Sequence, residues 1–229
     1  LLIKKPKSFV KKIFGGIPRL FKTYISKDEF TINVRNWKKK NGDKSLRLNY
    51  PSLSENSIVF DVGGYLGDFA HEIHMKYGCK VYIFEPHPVF FEKCNQRFAD
   101  NINIITLNYG LSDISGKFKL TDSVDGSSFL NLKGKDTVIC EVRNIFDVLK
   151  DLKINNIDLM KVNIEGGEYP LLQHIADKNS LDIVNFYQIQ FHNFIEEAEK
   201  KRQKILIALN RSHTNTWCYK FVWESWERK

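Results

Sequence analysis

The chain has 229 residues, 42% hydrophobic, 27% charged and 13% aromatic, enough for one domain with a sizeable core. That composition excludes collagen-like, disordered and disulfide-scaffold classes. Four scattered cysteines, Cys79, Cys94, Cys140 and Cys218, lack metal-type spacing. They predict reduced core residues and a cytoplasmic setting. The formal charge of +8 is local: residues 1–27 carry eight basic side chains and no acidic one, and the rest balances at 27 of each. A nucleic-acid enzyme more often spreads basic surface around its active site, so no nucleic-acid partner is expected.

Residues 1–50 read as a basic amphipathic arm or linker and residues 51–229 as the catalytic domain. Within the arm, Phe9, Ile13 and Phe14, then Ile17, Leu20, Phe21 and Tyr24, recur at helical spacing around Gly15-Gly16, which predicts two short amphipathic helices. A packing arm is the plain reading. Contact with an acidic membrane surface, or with an upstream domain, is the sharper one.

From residue 56 the rhythm changes. Ser57–Val62, Lys80–Phe84 and Ile102–Leu107 are short, nearly continuous apolar runs, and Gly67–Tyr77 and His87–Phe98 between them have helical character. Strands buried on both faces and alternating with helices imply βαβ units and a parallel sheet. Lys117–Leu120 and Thr137–Val142 form a small strand insertion around the polar stretch at 124–128. Helix Asn144–Lys150, strand Ile157–Ile164, helix Tyr169–Asp177, strand Asp182–Phe191 and helix Glu196–Leu209 follow, and Thr214–Trp226 alternates as a terminal hairpin.

Two features of this pattern carry chemistry. Asp61-Val62-Gly63-Gly64-Tyr65-Leu66-Gly67 follows the first strand, and its glycines permit a sharp turn and close approach to a ligand. It is no dinucleotide fingerprint, because a G-x-G-x-x-G begun at Gly63 would need glycines where Tyr65 and Asp68 stand. An acid before the first glycine suits a cationic ligand rather than a pyrophosphate. Glu85, ending the second strand, is placed to accept both hydroxyls of a ribose at the strands' C-terminal edge.

With these motifs, Phe84-Glu85-Pro86, Gly110-Leu111-Ser112-Asp113 and Lys161-Val162-Asn163-Ile164-Glu165-Gly166-Gly167-Glu168, the chain resembles S-adenosylmethionine-dependent methyltransferases of the FkbM family over roughly residues 55–195. The family usually reads K-x-D-x-E-G-x-E at the last motif and often E-x-H after the next strand. Asn163 and Gln190 stand here in place of two of those carboxylates. The resemblance implies a Rossmann-like class I methyltransferase sheet, mostly parallel with seven core strands. It also implies S-adenosyl-L-methionine as cofactor and a hydroxyl acceptor on a sugar or glycan. Asp61, Gly63, Gly64 and Gly67 would then surround the methionine part, Glu85 the ribose, and Asn108 and Asp113 the adenine.

A protonated alcohol is a poor nucleophile, so the acceptor side needs a general base or a metal. His192, whose neutral form is ordinarily available near neutrality, leads the candidates, followed by Glu165 and His213. The amides of Asn163 and Gln190 would position the acceptor. Because magnesium favours carboxylate oxygens, the two amide replacements point to a metal-independent reaction. Glu168 and Gln190, with Trp223 and Glu224 from the aromatic tail, are the expected acceptor contacts, since aromatic faces beside hydrogen-bonding acids suit sugar rings. The rival readings are a nucleic-acid methyltransferase and a non-catalytic module recruited through the basic arm.

Overall fold

The computed structural model describes residues 29–121 and 137–229. The two helices expected within residues 1–25 and the polar stretch at 124–128 lie outside the described residues. Seven strands form the main sheet: β1 (Ile58–Val62), β2 (Lys80–Phe84), β3 (Ile104–Leu107), β7 (Ile157–Val162), β8 (Val184–Ile189), β9 (His213–Tyr219) and β10 (Trp223–Arg228). Their order is β3-β2-β1-β7-β8-β10-β9. The first five run parallel, β10 is antiparallel to β8, and β9 is antiparallel to β10. This is the Rossmann-like methyltransferase sheet expected from the sequence. The insertion forms a second sheet, β4 (Gly110–Ser112), β6 (Thr137–Asn144) and β5 (Gly116–Thr121), in which β6 is central. Strand β4, which pairs parallel to β6, has too little apolar pattern to be visible beforehand.

Helices α3 (Asp68–Tyr77), α4 (Pro88–Arg97), α5 (Ile145–Leu152), α6 (Glu168–Asp177) and α7 (Ala198–Ser212) cover the sheet. The strand period of two divides the core between the two faces. Phe60, Val62 and Met160 join a cluster with Leu171, Leu172, Ile175 and Ile205 from α6 and α7. Val59 and Leu159 face the other way, onto Phe69 and Ile73 of α3 and Phe98. Asp61 and Lys161 follow Val59 and Leu159 by two residues and are register partners across β1 and β7, so they share that second face. The connections run to opposite sides between β1 and β7, which makes the C-terminal ends of these strands the switch point where such sheets bind ligands.

The described part of the arm packs on the C-terminal strands. Helices α1 (Glu29–Lys40) and α2 (Gly42–Ser45) precede the sheet, and Trp37 from α1 joins Val222 and Trp223 in a third apolar cluster. The Arg47 guanidinium lies 4.2 Å from the ring centroid of Trp223, and its Nε donates to Gln188 at 3.0 Å.

This packing corrects three expectations. Strand β10 is covered by α1, whose Trp37 packs with Trp223, and by α7, whose Arg202 meets Glu224, so Trp223 and Glu224 are buried rather than presented to an acceptor. Glu224 accepts two hydrogen bonds from Arg202, at 2.8 and 3.1 Å, and one from the Trp226 indole at 3.3 Å. His213 begins β9 and is buried at the N-terminal edge of the sheet, opposite the strand ends that bind ligands. Its Nε2 meets the Val184 carbonyl at 2.9 Å and its Nδ1 the Ser212 hydroxyl at 2.8 Å. It is a structural histidine, and burial lowers its pKa.

Breaking a buried ion pair leaves one charge uncompensated, which costs about 3–5 kcal/mol. Glu224→Gln should therefore lower unfolding free energy in urea by roughly that amount, while the Arg202→Met/Glu224→Leu double variant loses much less. Equal stability of Glu224→Gln and wild type would show that the pair is not what holds β10 to α7.

Candidate functional site

Two turns meet at the switch point. The first, Gly63–Gly67, leaves β1. Its glycines answer to the protein rather than to ligand space: a Cβ on Gly63, at φ 85°, would run into the Asn163 carbonyl and Ile164, and one on Gly67, at φ 77°, into Phe98. Tyr65 between them is also left-handed, at φ 52°, which costs a side-chain-bearing residue about 1–2 kcal/mol. Glu85 holds the turn in place, Oε2 accepting from the Tyr65 amide at 2.8 Å and Oε1 from the His87 amide at 2.9 Å. Burial, only partly countered by those amides, pushes the Glu85 carboxyl up to about 7.

Lys161 closes the first turn from below. Its Nζ donates to Asp61 Oδ1 at 2.8 Å and to the Gly63 carbonyl at 2.7 Å, with both side chains buried. Burial lowers the lysine pKa against the pull of Asp61. Asp61 Oδ2 is buried and accepts no hydrogen bond, and the same holds for Asn163 Oδ1 in the second turn. Buried polar atoms seldom stay unpaired, so the site has acceptor capacity to spare.

The second turn, 163–167, leaves β7 and repeats the design. Glu165 is left-handed at φ 50°, and Gly166, at φ 108°, has no room for a Cβ beside Ile195. Glu168 pins this turn. Fully buried, it accepts from the Gly166 amide at 2.8 Å, the His192 amide at 2.9 Å and His192 Nδ1 at 3.1 Å. His192, two residues past Gln190 at the end of β8, thus sits between Glu168 and Glu165, whose Oε2 is 3.5 Å from Nε2. Tyr169 donates to the His192 carbonyl at 2.8 Å.

The structure therefore brings Asp61, Gly63, Gly64, Gly67 and Glu85 together at one turn, and Asn163, Glu165, Glu168 and His192 at the other. Gln190 is half-buried, and its backbone N–H donates to the Val162 carbonyl at 2.9 Å. Asn108 is exposed and lines a cavity of about 190 Å³ with Pro86, Pro88 and insertion residues such as Lys117 and Glu141. Asp113 does not line that cavity. Its carboxylate accepts from Ser112 at 2.8 Å, and its carbonyl from Asn144 at 2.6 Å, which is a local turn role.

Two expectations change. Glu168 is too buried to touch an acceptor and instead orients His192. Burial would lower the His192 pKa, but the flanking Glu165 and Glu168 carboxylates outweigh it and push it up to about 9, so the imidazolium prevails at neutral pH. Lys161 opens the last motif, but spacing alone gives it no role, because its approach to Asp61 and Gly63 exists only once β1 and β7 pair. Nor does spacing give a role to two exposed aromatics at the rim. Phe194 is 50% exposed with its ring centroid 5.2 Å from that of His192, and Tyr65 is 48% exposed against Phe90 at 4.5 Å. Among the described residues, no group of three or more His, Cys, Asp or Glu side chains is arranged to hold a metal, and no helix is long and apolar enough to cross a membrane.

A family model described as the methyltransferase FkbM domain matches residues 61–215, from the first turn through β8 and into β9. The methyltransferase sdnD of Sordaria araneosa is 27% identical over 56% of this chain, and the match spans 64% of that protein's length. Among solved structures, methyltransferase FkbM from Methylobacillus flagellatus KT aligns with a TM-score of 0.48 at 13% identity, covering 77% of this chain and 44% of that one. An rRNA methylase from Streptococcus thermophilus aligns at 0.46 and 15%, covering 78% and 90%. With the family model covering both turns and most of the sheet that carries them, the chain belongs to the methyltransferase FkbM domain family.

Proposed function

We propose that the protein is an S-adenosylmethionine-dependent O-methyltransferase acting on a hydroxyl of a sugar or glycan. The observation that carries this reading is His192, held between Glu165 and Glu168 at the strand edge beside the glycine turn. The donor set fits the cofactor. The unpartnered Asp61 Oδ2 matches a ligand that brings donors, and each Glu85 oxygen, after accepting one amide, keeps a lone pair for a ribose hydroxyl. When bound, S-adenosylmethionine supplies a sulfonium methyl and a neutral thioether leaving group.

The protein's part is then to align the acceptor, exclude water and take the hydroxyl proton. Glu168 at Nδ1 fixes the imidazole so that Nε2 faces Glu165 and the site. His192 accepts the acceptor's proton at Nε2 once it has lost its own, and Glu165, with its side chain 36% exposed, stabilises the resulting imidazolium. The exposed ring of Phe194 beside His192 supports a sugar acceptor, whose C–H face is apolar.

Two measurements test the reading. Glu85 titrates near 7, so its carboxylate population grows between pH 6 and 8. The affinity for S-adenosylhomocysteine should therefore rise over that window in calorimetry and flatten in Glu85→Gln. That variant should lose about 1.5–3 kcal/mol of binding at pH 8, as expected for hydrogen bonds to a charged group. Affinity independent of both pH and Glu85 would remove the ribose assignment.

The methyl-transfer rate should climb as pH rises through about 9, because the raised pKa keeps His192 protonated below it. His192→Gln should lose the step and lower the rate by about 10²–10⁴ without changing cofactor affinity. A variant with near-normal turnover would exclude His192 as the base.

A further inference from the structure

Lys161 has no part in the reading above, yet its position is hard to account for as packing. It is buried opposite its register partner Asp61, whereas the other charged residue of the strand, Asp158, lies near the strand's start and is only half-buried. Placing an ammonium there costs solvation, and an apolar pair of similar size would hold the two strands at least as well. What an apolar pair would not do is reach the turn. Lys161 Nζ bonds the Gly63 carbonyl as well as Asp61 Oδ1, so one group fixes both the backbone of the first turn and the direction of the carboxylate before it. Asp61 is left with Oδ2 as its unused acceptor.

We infer that Lys161 is a positioning residue for the amino-acid end of the ligand: by occupying Asp61 Oδ1 and the Gly63 carbonyl, it leaves Oδ2 as the acceptor for an ammonium group. The inference rests on the cofactor reading given above and adds a division of labour within the site. Glu85 holds the turn at Tyr65 and His87 and makes no hydrogen bond with Lys161, whose charge reaches that carboxyl only through space, where Asp61 acts on it in the opposite direction. Loss of Lys161 should therefore be felt at the amino-acid end of the ligand and not at its nucleoside end. A lysine that merely stabilised the fold would affect both ends alike or neither.

The test compares two probes by calorimetry, S-adenosylhomocysteine and 5′-methylthioadenosine, which share the nucleoside and differ in the amino-acid group. Measurements at pH 8.5 keep Glu85 ionised in the wild type, where it titrates near 7; losing Lys161 alone raises it, and losing Asp61 as well removes the opposing influence. Lys161→Met should bind S-adenosylhomocysteine at least tenfold more weakly and 5′-methylthioadenosine within twofold of wild type. Because this variant leaves a buried carboxylate unpaired, Asp61→Asn/Lys161→Met, which removes both charges, is measured beside it and against Asp61→Asn; since Lys161 acts through Asp61, it should bind S-adenosylhomocysteine no more weakly than that single variant and keep 5′-methylthioadenosine within twofold. Equal losses for both probes, unchanged affinity for both, or failure of both variants to fold would each overturn the inference and leave Lys161 a structural residue. Wild-type protein that binds neither probe would instead overturn the cofactor reading, and the inference with it.

Discussion

The site depends on how charge is held at the junction of β1 and β7. These strands end side by side at the switch point, and everything that follows them must turn within a few residues of two buried, opposite charges. The Asp61–Lys161 pair sits one strand position inside that edge, on the sheet face covered by α3. With both groups out of water, their separation and hydrogen bonds are set by the protein and are little screened by salt. The first turn inherits this rigidity through the Gly63 carbonyl, and the second lies against the first because the Asn163 backbone N–H donates to the Val62 carbonyl at 3.0 Å. A shift of β7 against β1 would break the ion pair and both turns together.

The acceptor side is built on the same logic with different groups. Glu168 faces no solvent and is bonded by two amides and an imidazole, so its charge is fully used in joining α6 to the end of β8. Glu165, on the open side of the same histidine, is the carboxylate free to respond to a ligand. A histidine between two acids is a stronger base than an isolated one but is mostly protonated at neutral pH, so base strength is gained at the expense of the reactive population.

Much of this was legible in the sequence, and what was not shares a cause. Strand β2 was read with its observed boundaries and β1 within one residue, because continuous apolar runs bounded by glycine and proline have few other interpretations. The glycine turn and Glu85 followed from spacing. The tail differs at Trp223 and Glu224, since alternation identifies a strand but not what covers its faces, and α1 and α7 cover those of β10. His213 lies at the other edge for a related reason: β10, not β9, is the strand of the hairpin that pairs with β8, so β9 runs in the direction of β8 and begins at the N-terminal edge. The His192 proton affinity was out of reach as well, because Glu165 and Glu168 approach it only once the second turn has folded back.

The two turns also show why carboxylates recur here. Tyr65 and Glu165 both adopt left-handed backbone conformations without the freedom of glycine, at about 1–2 kcal/mol each. In each turn a buried carboxylate bonds an amide at or beside the strained residue, Glu85 at Tyr65 and Glu168 at Gly166. Hydrogen bonds to a charged group contribute about 1.5–3 kcal/mol, enough to offset the strain but not to exceed it by much. Each turn is therefore held near balance by one ionisable group, and its geometry is tied to that group's charge. Both carboxylates are bonded on both oxygens within the protein, but Glu168 also takes the His192 imidazole and faces no solvent. Glu85 titrates near neutrality at the proposed ribose end, so the first turn is the one whose conformation a bound ligand would tighten.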